Sequence, residues 1–213
     1  MVLTAAGIPL TKIGECREEL LGQAEREFYL WILRRFSDVG AVPDDAVRAE
    51  ATRLGLDFPK VRDKLAAEDL VHFDADGNVA VAYPFSGRPT AHRVLIDGHS
   101  VYAMCAIDAL GMAAMFDRSI AVTSRDPVTD AEINVWLQPG GTGTWQPDGA
   151  VVVAGRCCDG AAFEGCCQVM NFFASSESAA RYLRERAVDG FPITIPQAIE
   201  VGRAIFGDVL KPG

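Results

Sequence analysis

A chain of 213 residues, 49% apolar and 23% charged, has enough material for a full core without staples and is far from a disordered composition. No run approaches the ~18 uninterrupted apolar residues of a membrane span, and the opening MVLTAAGIPLTKIGE lacks the basic n-region and long apolar stretch of a secretory signal, so a cytoplasmic protein without a membrane partner is expected. The net charge of −9, from 20 Lys and Arg against 29 Asp and Glu, repels phosphate backbones and argues against nucleic acid as a partner.

Residues 17–36, REELLGQAEREFYLWILRRF, place Leu20, Leu21, Ala24, Phe28, Trp31 and Ile32 at three- and four-residue spacing. This predicts an amphipathic helix with one buried stripe. Beyond Gly40, Pro43 with Asp44 and Asp45 opens a second helix to about Leu54, closed by Gly55. Phe58 to about Glu68 reads as a third. LVHFD and VAVAYPF flank the turn Ala75-Asp76-Gly77-Asn78 and predict a β-hairpin. Three helices and a hairpin make a winged-helix-like layout, a shape that serves DNA binding elsewhere. Between Pro43 and Leu70, however, five basic residues (Arg48, Arg53, Lys60, Arg62 and Lys64) face seven acidic ones, the wrong balance for a groove reader. The lobe formed by residues 1–85 is therefore read as structural.

SGRPT at 86–90 marks a linker into a second unit, residues 86–213. HRVLIDG is a short strand, and Ser100 is placed to cap a helix from about Val101 to Phe116. SIAVTS and EINVWL, joined by RDPVTDA, predict a hairpin; Gly140–Gly149 reads as a Gly-rich loop, and AVVVAG and QVMNFFAS as buried strands. Two helices, about Glu177–Ala187 and Pro196–Leu210, end the chain. The expected fold class is α+β, a winged-helix-like three-helix lobe followed by a mixed or antiparallel sheet with flanking helices.

Six cysteines stand out in such a chain: Cys16, Cys105, Cys157, Cys158, Cys166 and Cys167. Four of them form two vicinal pairs within eleven residues, a pattern unlike the dispersed cysteines of a secreted disulfide framework. Structural zinc sites favour Cys-x-x-Cys or Cys/His pairs, whereas His72, His92 and His99 lie far from these pairs in sequence. Buried apolar thiols, or reactive thiols that take a soft metal or attack a substrate, remain. Cys105 and Asp108 are three apart on the predicted helix and share a face with Met112. A carboxyl desolvated on so apolar a helix has its neutral form favoured, which suits a group that holds and delivers a proton. On a strand, Cys166 and Cys167 would point to opposite faces, so one of them at most could join Cys105.

Three stretches, IDGHSVYAMCAIDAL, IAVTSRDPVTDAEINV and GCCQVMNFFAS, resemble the alkylmercury (organomercurial) lyase family. The resemblance implies protonolytic cleavage of the carbon–mercury bond of alkyl and aryl mercurials, giving hydrocarbon and Hg(II). It assigns Cys105, Asp108 and Cys166 as the catalytic and mercury-holding residues, with Cys167 as the accompanying vicinal cysteine. It also implies no organic cofactor, Hg(II) as bound product, external thiols for product release, and a mercuric reductase as a partner that accepts Hg(II). The chain departs from the family pattern at Met104, where Trp is usual, in the proline-free run GMAAMF, at Gln168 and Asn171, where histidines are common, and in the extra Cys157–Cys158 pair. A non-catalytic soft-metal or thiol-binding protein on the same scaffold is the competing expectation.

Overall fold

The N-terminal lobe is built on helix α1 (Gln23–Val39), which buries Phe28, Ile32, Leu33 and Phe36 on one stripe. The computed structural model describes residues 4–5, 8–9, 20–155 and 162–211, with the backbone alone for 4–5, 8–9, 163 and 166. Within that range α1 starts at Gln23, and Leu20 stays 62% exposed, outside the stripe expected for it. The Glu25 carboxylate accepts the Gly22 N–H at 2.7 Å and caps the helix. Gly40, in the left-handed region at φ 75°, ends it by donating to the Phe36 carbonyl. Helices α2 (Asp44–Arg53) and α3 (Phe58–Ala67) follow as expected, the second capped by Asp57, whose carboxylate accepts the Lys60 N–H, with Pro59 in its first turn.

Each of the five cations between Pro43 and Leu70 pairs with a carboxylate: Arg48 with Asp44, Arg53 with Glu50 and Glu27, Lys60 with Asp57, Arg62 with Asp63, and Lys64 with Glu25. Such pairs add little stability at an exposed surface, but they leave these charges locally compensated.

Beyond two short N-terminal strands, β1 (Thr4–Ala5) and β2 (Ile8–Pro9), the expected hairpin forms from β3 (Val71–Phe73) and β4 (Val79–Ala82). Instead of standing alone, it belongs to an antiparallel sheet of eight strands. The other members are β5 (Phe85–Ser86), β6 (Arg93–Ile96), β7 (His99–Ala103), β8 (Ile120–Arg125), β9 (Glu132–Leu137) and β10 (Gly143–Gln146). Their order is β10-β9-β8-β6-β7-β5-β4-β3. The sheet runs through the linker position, since β5 pairs with both β4 and β7. Phe85 stacks on Phe36 of α1 with centroids 5.2 Å apart and lies 5.9 Å from Phe116, so one aromatic column joins the lobe to the rest of the core.

Three expectations are corrected. The helix expected from Val101 starts only at Ala106 (α4, Ala106–Phe116), because His99–Ala103 pairs with Arg93–Ile96 as strand β7. The turn between them is Asp97-Gly98, both with positive φ (49° and 82°), as a two-residue hairpin with a type I′ turn requires. The Gly-rich loop contains strand β10, which pairs with β9. QVMNFFAS is not one strand: Cys166–Val169 forms a helical turn, α5, and only Phe172–Phe173, β12, is extended.

Strand β12, with β11 (Val151–Gly155) and β13 (Gly190–Thr194), makes a second, three-stranded antiparallel sheet in the order β12-β11-β13. Helices α6 (Ser176–Arg186) and α7 (Ile195–Phe206) complete the expected α+β fold. α7 lies tightly on α4: a Cβ added at Gly202 would come within 2.8–3.0 Å of Gly111 N and Cα and the Ile107 carbonyl. Among the described residues no helix is long and apolar enough to cross a membrane.

Candidate active site

Cys105 occupies the N-cap of α4, with extended backbone at φ −149° and ψ 179°, between the end of β7 and the first helical turn. Its carbonyl accepts the Ala109 N–H at 3.0 Å and its Sγ accepts the Asp108 N–H at 3.4 Å. A thiol thus performs the capping task usually given to a hydroxyl, and the i,i+3 spacing brings the Asp108 side chain back over the cap. Both residues are buried, Cys105 at 1% and Asp108 at 5% exposure, on a helix whose other faces are nearly all apolar.

The third member comes from α5. Cys167 is 6% exposed, and its thiol donates to Asp108 Oδ2 at 3.7 Å. Cys105 Sγ, the Asp108 carboxylate and Cys167 Sγ all lie within 4.8 Å of one another, the only grouping of three or more metal-capable side chains among the described residues. The arms carrying the two sulfurs are joined directly, since Ala106 N–H donates to the Met170 carbonyl at 2.9 Å.

Of the residues expected from the sequence, the structure therefore brings Cys105 and Asp108 together. It adds Cys167, which sequence reasoning treated as a companion. Cys166 starts the same helical turn, but its side chain lies outside the described residues. Cys16, Cys157 and Cys158 also lie outside them. The signal overlooked in GCCQVMNFFAS was its break in strand pattern: the apolar pair Phe172–Phe173 is separated from the cysteines by Gln168 and Asn171. None of the three histidines joins the thiols. His72 meets Asp69 at 2.6 Å, and His92 is buried against the Ser124 hydroxyl at 2.9 Å. Burial pushes the His92 imidazole down to about 4, partly offset by its hydrogen bond with Asn171, so the ring is neutral at pH 7.

Electrostatics follow from enclosure. Burial pushes the Asp108 carboxyl up to about 7, against the lowering effect of hydrogen bonds from both thiols and the cap. Burial, then the hydrogen bond with Cys167 and the Asp108 charge, drive the Cys105 thiol well above its ordinary value. For Cys167 the hydrogen bond with Cys105 pulls down, but burial and the Asp108 charge outweigh it and the thiol is raised. The site therefore holds two protonated soft sulfurs beside a carboxyl poised between accepting and giving a proton at neutral pH. Thiolates are strong ligands for a soft metal, and a carboxyl of this kind is a general acid. The arrangement is suited to taking a soft metal centre on sulfur while returning a proton to a leaving group.

Known proteins agree. Residues 85–207 match the alkylmercury lyase family. An alkylmercury lyase of Staphylococcus epidermidis is 27% identical over 173 residues, covering 81% of this chain and 78% of that protein. One of Bacillus cereus is 29% identical over 154 residues, covering 72% and 70%. The crystal structure of the mercury-bound form of MerB2 superposes with a TM-score of 0.69 at 21% identity, over 89% of this chain and all of that one, a likeness of fold. With a matching family over more than half its length and a buried cysteine–aspartate–cysteine cluster, the chain belongs to the alkylmercury lyase family and is a carbon–mercury lyase.

Proposed function

We propose that this enzyme cleaves organomercurials by protonolysis, with Cys105 and Cys167 as the sulfur pair and Asp108 as the proton carrier. The observation that supports this reading is the mutual approach of the three side chains within 4.8 Å in a buried site. The substrate enters as an organomercury–thiol complex. Cys105 exchanges with the carrier thiol: a new sulfur–mercury bond forms, the old one breaks, and the Cys105 proton leaves on the departing thiol. Cys167 then passes its proton to the Asp108 carboxylate, already its hydrogen-bond acceptor, and binds mercury as thiolate. The second sulfur pushes electron density onto carbon. Asp108 protonates that carbon, the carbon–mercury electron pair becomes the new carbon–hydrogen bond, and R–H departs.

Mercury is Hg(II) throughout, so no electrons are exchanged and no organic cofactor is required. Two external thiols take Hg(II) away and restore both protein thiols, leaving Asp108 as the carboxylate with which the cycle began. In this reading the enzyme works in the cytoplasm and a mercuric reductase receives the product. The buried, apolar setting of the cluster excludes water and accepts alkyl or aryl groups.

The vicinal pair supplies the test. Cys166, the candidate from family resemblance, and Cys167, the one beside Asp108, are replaced separately by Ser, and methane or benzene release from methyl- or phenylmercury is measured. Loss of release in Cys167→Ser with activity kept in Cys166→Ser is the expected outcome. The reverse pattern returns the role to Cys166. Stoichiometric Hg(II) binding without hydrocarbon from the wild-type protein would instead identify a metal sink.

A further inference from the structure

Asp69 lies in the N-terminal lobe, at the corner between α3 and β3, with left-handed backbone at φ 52° and its side chain only 12% exposed. Its Oδ2 accepts the Ala162 N–H at 3.1 Å, a contact across 93 positions. Its Oδ1 lies 2.6 Å from His72 Nε2 and accepts the Tyr83 hydroxyl at 3.2 Å.

Both distant partners lead directly into the thiol site. Ala162 opens the 3-10 turn Ala162–Glu164; its carbonyl accepts the Gly165 N–H and the Gly165 carbonyl accepts the Gln168 N–H, each at 3.2 Å. Ala162 is thus the base on which α5 and Cys167 are built. Tyr83 precedes Pro84, whose carbonyl accepts the Met104 N–H at 3.1 Å, one residue before Cys105. One carboxylate therefore touches the root of each sulfur-bearing arm, while the bond from Ala106 to Met170 closes them on the other side.

We propose that Asp69 is a positioning residue for the lyase reaction: by tethering Ala162 and Tyr83 it holds Cys167 at working distance from Cys105 and Asp108. The inference rests on the reading of these three residues as the reaction site. It gives the helical lobe a part in catalysis beyond packing. The physical reason is that a site in which one mercury must meet two sulfurs and a proton donor tolerates little displacement: ångström-scale misplacement costs about a hundredfold in rate. Cys167 sits on a helical turn of only four residues, too short to hold its own orientation without an external anchor.

The test compares Asp69→Gly with Asp69→Asn. Glycine accepts positive φ and removes the tether; asparagine also tolerates that backbone and keeps an acceptor oxygen for Ala162. Three quantities are read: kcat and KM for phenylmercury, the sulfur-to-mercury charge-transfer absorbance on titration with inorganic Hg(II) alone, and the thermal midpoint. In Asp69→Gly, kcat falls at least roughly tenfold with a smaller change in KM, and the two-sulfur Hg(II) absorbance weakens; Asp69→Asn restores both. A merely structural role would lower the thermal midpoint without moving kcat per folded molecule or the absorbance, and that result overturns the proposal. So does an Asn variant as impaired as the Gly one. Should Asp69→Gly fail to fold, Ala162→Pro deletes the donor alone at a position where proline suits the start of a helical turn. Wild-type turnover in that folded variant overturns the proposal, and reduced turnover supports it. The Hg(II) titration needs no bond cleavage, so it decides on Asp69 even if hydrocarbon release were absent from the wild-type enzyme.

Discussion

Cys105 caps the helix that carries Asp108: its sulfur accepts the Asp108 backbone N–H at 3.4 Å, and the carboxyl of Asp108 in turn accepts the thiol of Cys167 at 3.7 Å. The proposed mercury-capturing group and the proposed proton carrier are thereby fixed within one turn of one helix, and only the second sulfur is brought from afar.

Asp108→Asn keeps the shape of the site and removes the acidic proton. Hydrocarbon release is expected to fall by roughly 100- to 10,000-fold, the usual contribution of a general acid. Hg(II) binding, titrated by absorbance, should remain at one per chain because both sulfurs stay. Loss of Hg(II) binding in a folded Asp108→Asn protein would instead make Asp108 an essential ligand.

The same substitution has a signature in stability. The folded carboxyl titrates at about 7 against an ordinary 3.8, so between these values the native state holds a proton that the unfolded chain has released. Asp108 therefore contributes stability that is fully present below about pH 4 and is lost as pH rises through about 7. Denaturant titrations should show wild-type stability declining relative to Asp108→Asn across this window, by at most about 1.4 kcal/mol per pH unit, and parallel curves above it. Equal pH dependence of the two proteins would place the Asp108 pKa near its ordinary value.

In the proposed mechanism the hydrogen delivered to carbon passes through thiol and carboxyl groups that exchange with solvent. In D₂O the enzyme should convert methylmercury to CH₃D and phenylmercury to singly deuterated benzene, read by mass spectrometry. Unlabelled hydrocarbon would point to a non-exchangeable hydrogen source and rule out Asp108 as the donor.

Gly202→Ala tests the support beneath the helix. The new Cβ would lie 2.8 Å from Gly111 N and 2.9 Å from Gly111 Cα, both backbone atoms of α4 that cannot rotate away. Overpacking of this kind costs about 1–3 kcal/mol. Because α4 carries Asp108 and is capped by Cys105, the folded variant should also lose turnover, measured below its melting temperature. Unchanged stability would show that α7 can slide on α4 freely.

What the sequence determined by itself was local. The three lobe helices, the β8–β9 hairpin and the last two helices rest on apolar periodicity, caps and turn residues, all acting within a few positions. The pairing of Cys105 with Asp108 belongs here too, because residues three apart on a helix start meet whatever surrounds them. The start of α4 does not belong here: the unbroken apolar stretch after Ser100 reads as helix from Val101, and only pairing with β6 makes it strand as far as Ala103.

Tertiary structure alone decided the rest. That Cys167 meets Asp108 depends on how α5 is oriented. That orientation is set by contacts with Asp69 and Ala106, 98 and 61 positions from Cys167, which no local pattern encodes. The titration of the site likewise comes from burial and not from residue type. The six cysteines announced thiol chemistry, but an aspartate becomes a proton carrier near neutral pH only when the fold closes around it and removes the water that would keep it charged.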